Sequence, residues 1–225
     1  SQEEQNTLLS IGGYSMMAAH RGLHPYIDIE HKLTRLIFQA YPAGDFPEDL
    51  SIRAIKVKSN KRGTLVVAAR NLEDVGVTFS GDGKDDFILC EKSDGVNPAE
   101  PLKTTPIPWD ESYKEIREWY NRPFVELGGS IMLPPDEQYT LELYWSQWKI
   151  KRDGSEKELV PVDRPYTYTL NAPTSEFSKH EDGFWFAPGV KYVIQIAVYG
   201  LQQIEIKANV KGWDYGGEIP LPDPD

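Results

Sequence analysis

The chain has 225 residues, with 24 Lys or Arg against 35 Asp or Glu, a formal net charge of -11 and a pI near 4.9. That balance repels phosphate backbones and anionic lipid headgroups, which argues against nucleic-acid and membrane-surface binding and makes solubility the main effect of the acid surplus. Cys90 is the only cysteine, so no intramolecular disulfide forms, and no apolar run approaches the roughly 20 residues of a membrane-spanning helix.

Residues 1–27 show no clear period and read as an irregular lead-in or the remnant of a missing N-terminal domain. The opening has no basic-then-apolar leader, as expected of a mature or trimmed fragment. A β-sandwich domain is expected over 28–217 and a Pro-rich tail over 218–225. The first strand falls at Leu33–Tyr41, where Leu36, Phe38 and Ala40 share one parity. Leu50–Lys58 begins with apolar even positions and ends with apolar odd ones, a phase slip that predicts a β-bulge near Arg53–Ala54. Asn60-Lys61-Arg62-Gly63 turns the chain into Thr64–Ala69, and short strands follow at Val75–Phe79 and Asp86–Cys90, the last burying Cys90 as a small apolar thiol.

Between Lys92 and Pro135 the strand signal fades, because Pro98, Pro101, Pro106, Pro108 and Pro123 break any ladder. Asp110–Tyr120 is compatible with one short helix started by Asp110, in a loop rich in rings: Trp109, Tyr113, Trp119 and Tyr120. Structure resumes at Gln138–Ile150, with Tyr139, Leu141, Leu143 and Trp145 on one face. Asp153-Gly154 is a two-residue hairpin signal that returns the chain through Glu158–Val160 toward Tyr166–Leu170, and Asp182-Gly183 marks another turn.

The clearest period lies near the end. Tyr192, Ile194, Ile196 and Val198 share one parity, as do Ile204, Ile206, Ala208 and Val210, whose interleaved partners are polar. A helix would smear these groups around its cylinder, so the stretch reads as two long antiparallel strands joined around Gly200. The other parity of the first strand, Val193, Gln195, Ala197 and Tyr199, is weakly polar and predicts a cover, either a loop or another chain. The fold class that follows is all-β, an antiparallel sandwich with a long irregular insertion and at most one short helix.

Chemistry-bearing motifs are few. Asp82-Gly83-Lys84-Asp85-Asp86 superficially resembles a calcium loop but lacks the later bidentate glutamate, and reads better as a solvated turn. His20 and His24 are four apart, yet Pro25 makes a helix there doubtful, and His31 reads as a hydrogen-bonded histidine at the core's edge. There is no nucleophile elbow around Ser130 and no phosphate-binding Gly loop. A pair of carboxylates for glycoside cleavage is a spatial matter that 35 acidic residues leave open. The aromatic side chains are the remaining candidates: Trp109, Tyr113, Trp119, Tyr120 and Trp148 are placed for contact with a sugar or a protein partner, with packing in strands as the alternative.

Four segments in order carry a resemblance. They are Glu30–Phe38, then Gly128–Leu141 with its Leu133-Pro134-Pro135-Asp136 centre, then Phe186–Ile196, and finally Val210–Gly217 with Gly212-Trp213-Asp214-Tyr215. Together they resemble the fimbrillin-like surface proteins of Bacteroidales, the subunits and accessory proteins of their pili. The resemblance implies a transthyretin-like, Greek-key type sandwich, exported as a lipoprotein to the outer membrane and displayed on the cell surface. It further implies assembly with other pilus subunits by strand complementation, and neither a metal nor a cofactor. Only a short lead-in precedes the first segment, and Pro220, Pro222 and Pro224 lack the amide that a donor strand needs, so a tip, an anchor or an orphan surface relative is at least as much expected as a stalk subunit. The resulting expectation is a non-enzymatic adhesion protein that acts through protein contacts, with other pilus subunits and a host or matrix protein or glycan as partners, and with a surface glycan-binding module as the alternative.

Overall fold

The computed structural model describes residues 31–44, 50–66, 76–79, 83–92, 100–151, 153–154, 156–200 and 203–211. The expectations for the lead-in, for His20 and His24, for Asp82 and for the Gly212-Trp213 segment lie outside these residues.

Fourteen strands are present among them, taken in chain order. They are β1 (Thr34–Pro42), β2 (Leu50–Asn60), β3 (Gly63–Val66), β4 (Gly76–Phe79), β5 (Lys84–Ile88), β6 (Thr105–Pro106) and β7 (Val125–Leu133), followed by β8 (Gln138–Ile150), β9 (Lys157–Pro161), β10 (Tyr166–Asn171), β11 (Lys179–His180), β12 (Gly183–Phe184), β13 (Lys191–Gly200) and β14 (Gln203–Lys211). The helical segments among the described residues are all 3₁₀ turns, at Glu111–Glu115, Trp119–Asn121 and Glu176–Ser178. Asp110 caps the first as expected, accepting from the Ser112 backbone N–H at 2.9 Å, but five residues make a 3₁₀ turn and not an α-helix.

One sheet runs β14-β13-β1-β7 and the other β10-β8-β2-β5, with β6 also pairing β2 and β9 also pairing β8. Their facing sides form one core. Leu36 and Phe38 of β1, Ile52, Ile55 and Val57 of β2, Tyr139, Leu141 and Leu143 of β8, and Tyr192, Ile194 and Ile196 of β13 are all essentially inaccessible. The alternations read from the sequence therefore point inward, and all-β is the observed class. The expected bulge is present: β2 and β8 shift register between Ile52 and Ala54, so Arg53 is the added residue that moves the apolar set from even to odd positions.

Three expectations are corrected. The antiparallel sandwich contains one parallel pairing, β1 with β13, in which Phe38 stands beside Ile194. Strand β5 starts two residues before the expected strand and ends at Ile88; Cys90 then makes an isolated bridge to Pro101. The stretch 92–135 is not irregular throughout, because β7 lies within it and pairs with β1. In that pairing Leu36 faces Ile131 and Phe38 faces Leu127, so Ile37 stands opposite Gly128, Gly129 and Ser130, an irregular three-residue bulge at the centre of β7.

Phe186 completes the core between two tyrosines, with ring centroids 4.7 Å from Tyr139 and 4.9 Å from Tyr192. Thr34 Oγ1 donates to the Phe186 carbonyl at 2.7 Å, which fixes the approach to β13 on β1. Tyr139 donates its hydroxyl to the Pro134 carbonyl at 2.6 Å, and burial raises its pKa well above the usual phenol range.

Candidate interaction groove

The two long sides of the sandwich differ. On one, β10 lies against β14, and the Tyr168 hydroxyl donates to the Ile206 carbonyl at 3.2 Å while Tyr166 reaches the Ile204 carbonyl at 3.5 Å. Tyrosine hydroxyls thus occupy carbonyls along the outer edge of β14 and stitch the sheets together. On the other side, where β7 and β5 are the terminal strands among the described residues, there is a groove of about 750 Å³. Its apolar lining combines the nearly inaccessible core residues Phe38, Leu127 and Ile131 with the exposed Ile88 and Met132 and the half-buried Ile37 and Phe87.

The groove's rim is charged. Arg35, Lys92 and Lys191 line it along with Glu91 and Glu126. The two carboxylates are both engaged: Glu126 pairs with Lys92 at 2.7 Å, and Glu91 accepts from the Lys103 backbone N–H at 2.7 Å. Those contacts give each carboxylate a structural task.

A backbone segment crosses the mouth. Leu89, fully buried, donates its N–H to the Ile55 carbonyl at 2.9 Å and extends the β2 pairing. The Cys90 carbonyl then accepts from the Gly129 N–H at 2.8 Å, and Glu91 N–H reaches the Glu100 carbonyl at 2.8 Å. Gly128 has φ of 56°, and a methyl group there would run into the Cys90 carbonyl and stand 3.1 Å from Leu102. A methyl on Gly129 would stand 3.3 Å from the Glu91 carbonyl. These two glycines let one backbone lie directly on another.

The five aromatic candidates fall in three places, none of them lining this groove. Trp109 and Tyr113 are half-buried and meet edge to face at 86°. Trp119 is 7% exposed and packs its edge on Tyr41 at 5.2 Å, with exposed Tyr120 at 77° to it. Trp148, exposed, lies in the other sheet on the β8–β9 hairpin opposite Leu159. Neighbouring rings set nearly at right angles make no flat stacking platform.

Trp119 instead supplies the cover expected over the outer side of β13. With Tyr41, Ala43 and Ala197 it forms a second small core, and Tyr199 packs against it. Arg122 pins this loop: Nη1 donates to the Pro42 and Ala43 carbonyls, each at 3.0 Å, and Nε to Ile116 O at 3.1 Å. Lys207 lies 5.3 Å from the Trp119 ring centroid and pairs with Glu205 at 2.9 Å. That hydrogen bond from Lys207, aided by those from Tyr199 and Trp119, holds the Glu205 carboxyl below its usual range. Beside it a ladder of amides and a phenol runs across the sheet, with Gln195 Nε2 donating to Tyr41 Oη at 2.9 Å and Tyr41 Oη to Gln39 at 3.0 Å.

The remaining motifs resolve into ordinary contacts. Asp85 and Asp86 sit in β5 and pair with Lys61 and Lys56, and no cluster of three metal-ligating side chains occurs among the described residues. His31 is exposed and not at the core's edge, because the strand starts three residues later at Thr34.

No family model and no curated protein matches the sequence. Among solved structures the chain is similar to a fimbrial protein from Bacteroides vulgatus, with a TM-score of 0.49 and 12% identity over 82% of this chain. The match covers 55% of that protein, so the chain spans about half its length.

Proposed function

We propose that this chain is a non-enzymatic cell-surface protein of the fimbrillin-like kind, a pilus subunit, tip or anchor component that works in adhesion through protein contacts. On this reading it is exported, its precursor is lipid-anchored at the outer membrane, and it joins other pilus subunits by accepting an extended strand. The order of the four sequence segments supports the family reading. The observation that carries the mode of contact is the asymmetry of the sandwich: tyrosines close the β10–β14 side, whereas the β7–β5 side holds a groove beside a terminal strand. An added strand gains main-chain hydrogen bonds along β7 and places alternate side chains on Leu127 and Ile131, which is how strand addition combines affinity with register.

The test is localisation together with assembly. Intact cells producing the protein are probed with antibody, and the extracted material is run unheated in detergent. Surface labelling, detergent-resistant assemblies and slowed amide exchange along β7 within them are expected. A periplasmic or intracellular monomer, or protection confined to other strands, rejects the reading.

A further inference from the structure

We infer that residues 89–92 form a detachable strap which occupies, within the same chain, the place beside β7 that a partner strand would take. This inference rests on the strand-acceptor reading of the groove and adds its regulation. The strap is anchored unevenly. Leu89 is fully buried and bonded to Ile55, so one end is fixed. Beyond it, Glu91 is bonded to Glu100 and to the Lys103 amide, ties that belong to the strap's far side and not to β7.

Toward β7 the polar ties are two. One is the Gly129 N–H to Cys90 carbonyl bond at 2.8 Å. The other is the Lys92–Glu126 ion pair at 2.7 Å, whose side chains are 71% and 54% exposed. An exposed pair is weak and salt-sensitive. The glycines at 128 and 129 let the strap backbone sit where a neighbouring strand would run, so the strap and an incoming strand compete for the same Gly129 N–H. The Gly129–Cys90 hydrogen bond and the ion pair open while the Leu89 and Glu91 ties are kept, and the Gly129 N–H becomes available to the strand.

Cys90, the only thiol of the chain, is half-buried in the strap and reports on its opening. The test uses the full chain as wild type, Lys92→Gln, Glu126→Gln and the charge-exchanged double variant Lys92→Glu/Glu126→Lys. Cys90 labelling by an aromatic disulfide reagent and Gly129 amide exchange are measured at low and high salt. Either single neutralisation, or high salt on the wild type, is expected to speed both by up to about fivefold. The exchanged pair restores the wild-type rate. Unchanged rates in the single variants, or an exchanged pair as fast as they are, overturns the strap.

A synthetic peptide copying residues 204–210, an alternating strand, then probes acceptance. Affinity for it should rise in the two single variants by the same factor as the labelling rate and return to the wild-type value in the exchanged pair. Faster labelling with unchanged peptide affinity overturns the gating role. Absence of peptide binding in every variant, with labelling still accelerated, rejects the acceptor reading while leaving the strap's opening established by its own measurement.

Discussion

Replacing Gly128 by Ala tests the close backbone contact on which the groove depends. At φ of 56° a residue with a Cβ is held in the left-handed region, which costs about 1–2 kcal/mol. The added methyl also collides with the Cys90 carbonyl, a backbone atom that moves only if the strap moves. Displacing the strap forfeits the Gly129–Cys90 hydrogen bond, about 0.5–1.5 kcal/mol net. Together these predict a loss of about 1.5–3.5 kcal/mol, which for a chain of this size lowers Tm by about 3–14 °C. Gly154→Ala is the internal control. Gly154 has φ of 75° in the β8–β9 turn and nothing within 4 Å of its missing methyl, so it carries the conformational penalty alone. Calorimetry of both variants, with Gly129 amide exchange alongside, separates the two contributions. If Gly128→Ala melts no lower than Gly154→Ala and Gly129 exchanges at the wild-type rate, the glycine is not there for the strap and the reasoning fails.

Arg122→Met removes the donors to three backbone carbonyls while keeping the apolar stem, and a loss of about 2–4 kcal/mol with greater quenching of Trp119 by acrylamide is expected in denaturation and fluorescence titrations. Wild-type Tm within about 1 °C would show that the Trp119 loop is held by packing alone. Glu205 has a folded pKa below its ordinary value of 4.5, so its contribution to stability is present above that unfolded value and disappears as pH falls through the lower folded one. Glu205→Gln should therefore flatten the acid limb of the stability profile below about pH 4.5 and leave its shape near neutrality unchanged; an acid limb identical to the wild type contradicts the assignment. Tyr166→Phe/Tyr168→Phe strips the hydroxyls from β14, for which about 1–2 kcal/mol of destabilisation is expected with concentration-dependent association through that edge in sedimentation velocity. A double variant that stays monomeric at high concentration shows that the hydroxyls do not guard the edge.

How much the sequence disclosed depends on how local the cause was. The β13–β14 hairpin and β8 were legible because a period of two is a property of neighbours, and the phase slip at Arg53 was legible because a bulge moves the apolar parity within one strand. In β7 the same period exists, with Val125, Leu127, Ile131 and Leu133 all at odd positions, but Gly128-Gly129-Ser130 in the middle reads as a turn. Only the strap on the far side explains why glycines stand there. The parallel pairing of β1 with β13 leaves no local trace, since no turn joins strands so distant in the chain. The groove was invisible for the same reason, being assembled from β1, β5, the strap, β7 and the start of β13. An exposed ring and a packed ring look alike in a sequence, and Trp119 is the packed kind.

On the proposed strand-acceptor reading, the edges of the two sheets differ in how they are guarded. A terminal strand is a template for pairing, and folded chains suppress it with charge, proline or a cover. Strand β5 carries Lys84, Asp85 and Asp86 in succession, and β9 has Lys157 and Glu158 with Pro161 at its end. Strand β14 has carbonyls taken by tyrosine hydroxyls. Strand β7 has Glu126 as its single charged residue, no proline and an inward face of leucines and isoleucine; its guard is the strap, held toward it by one backbone hydrogen bond and one exposed ion pair. A protection that a few broken contacts remove suits an edge meant to be used, which is why the proposed strand-acceptor role is placed on β7.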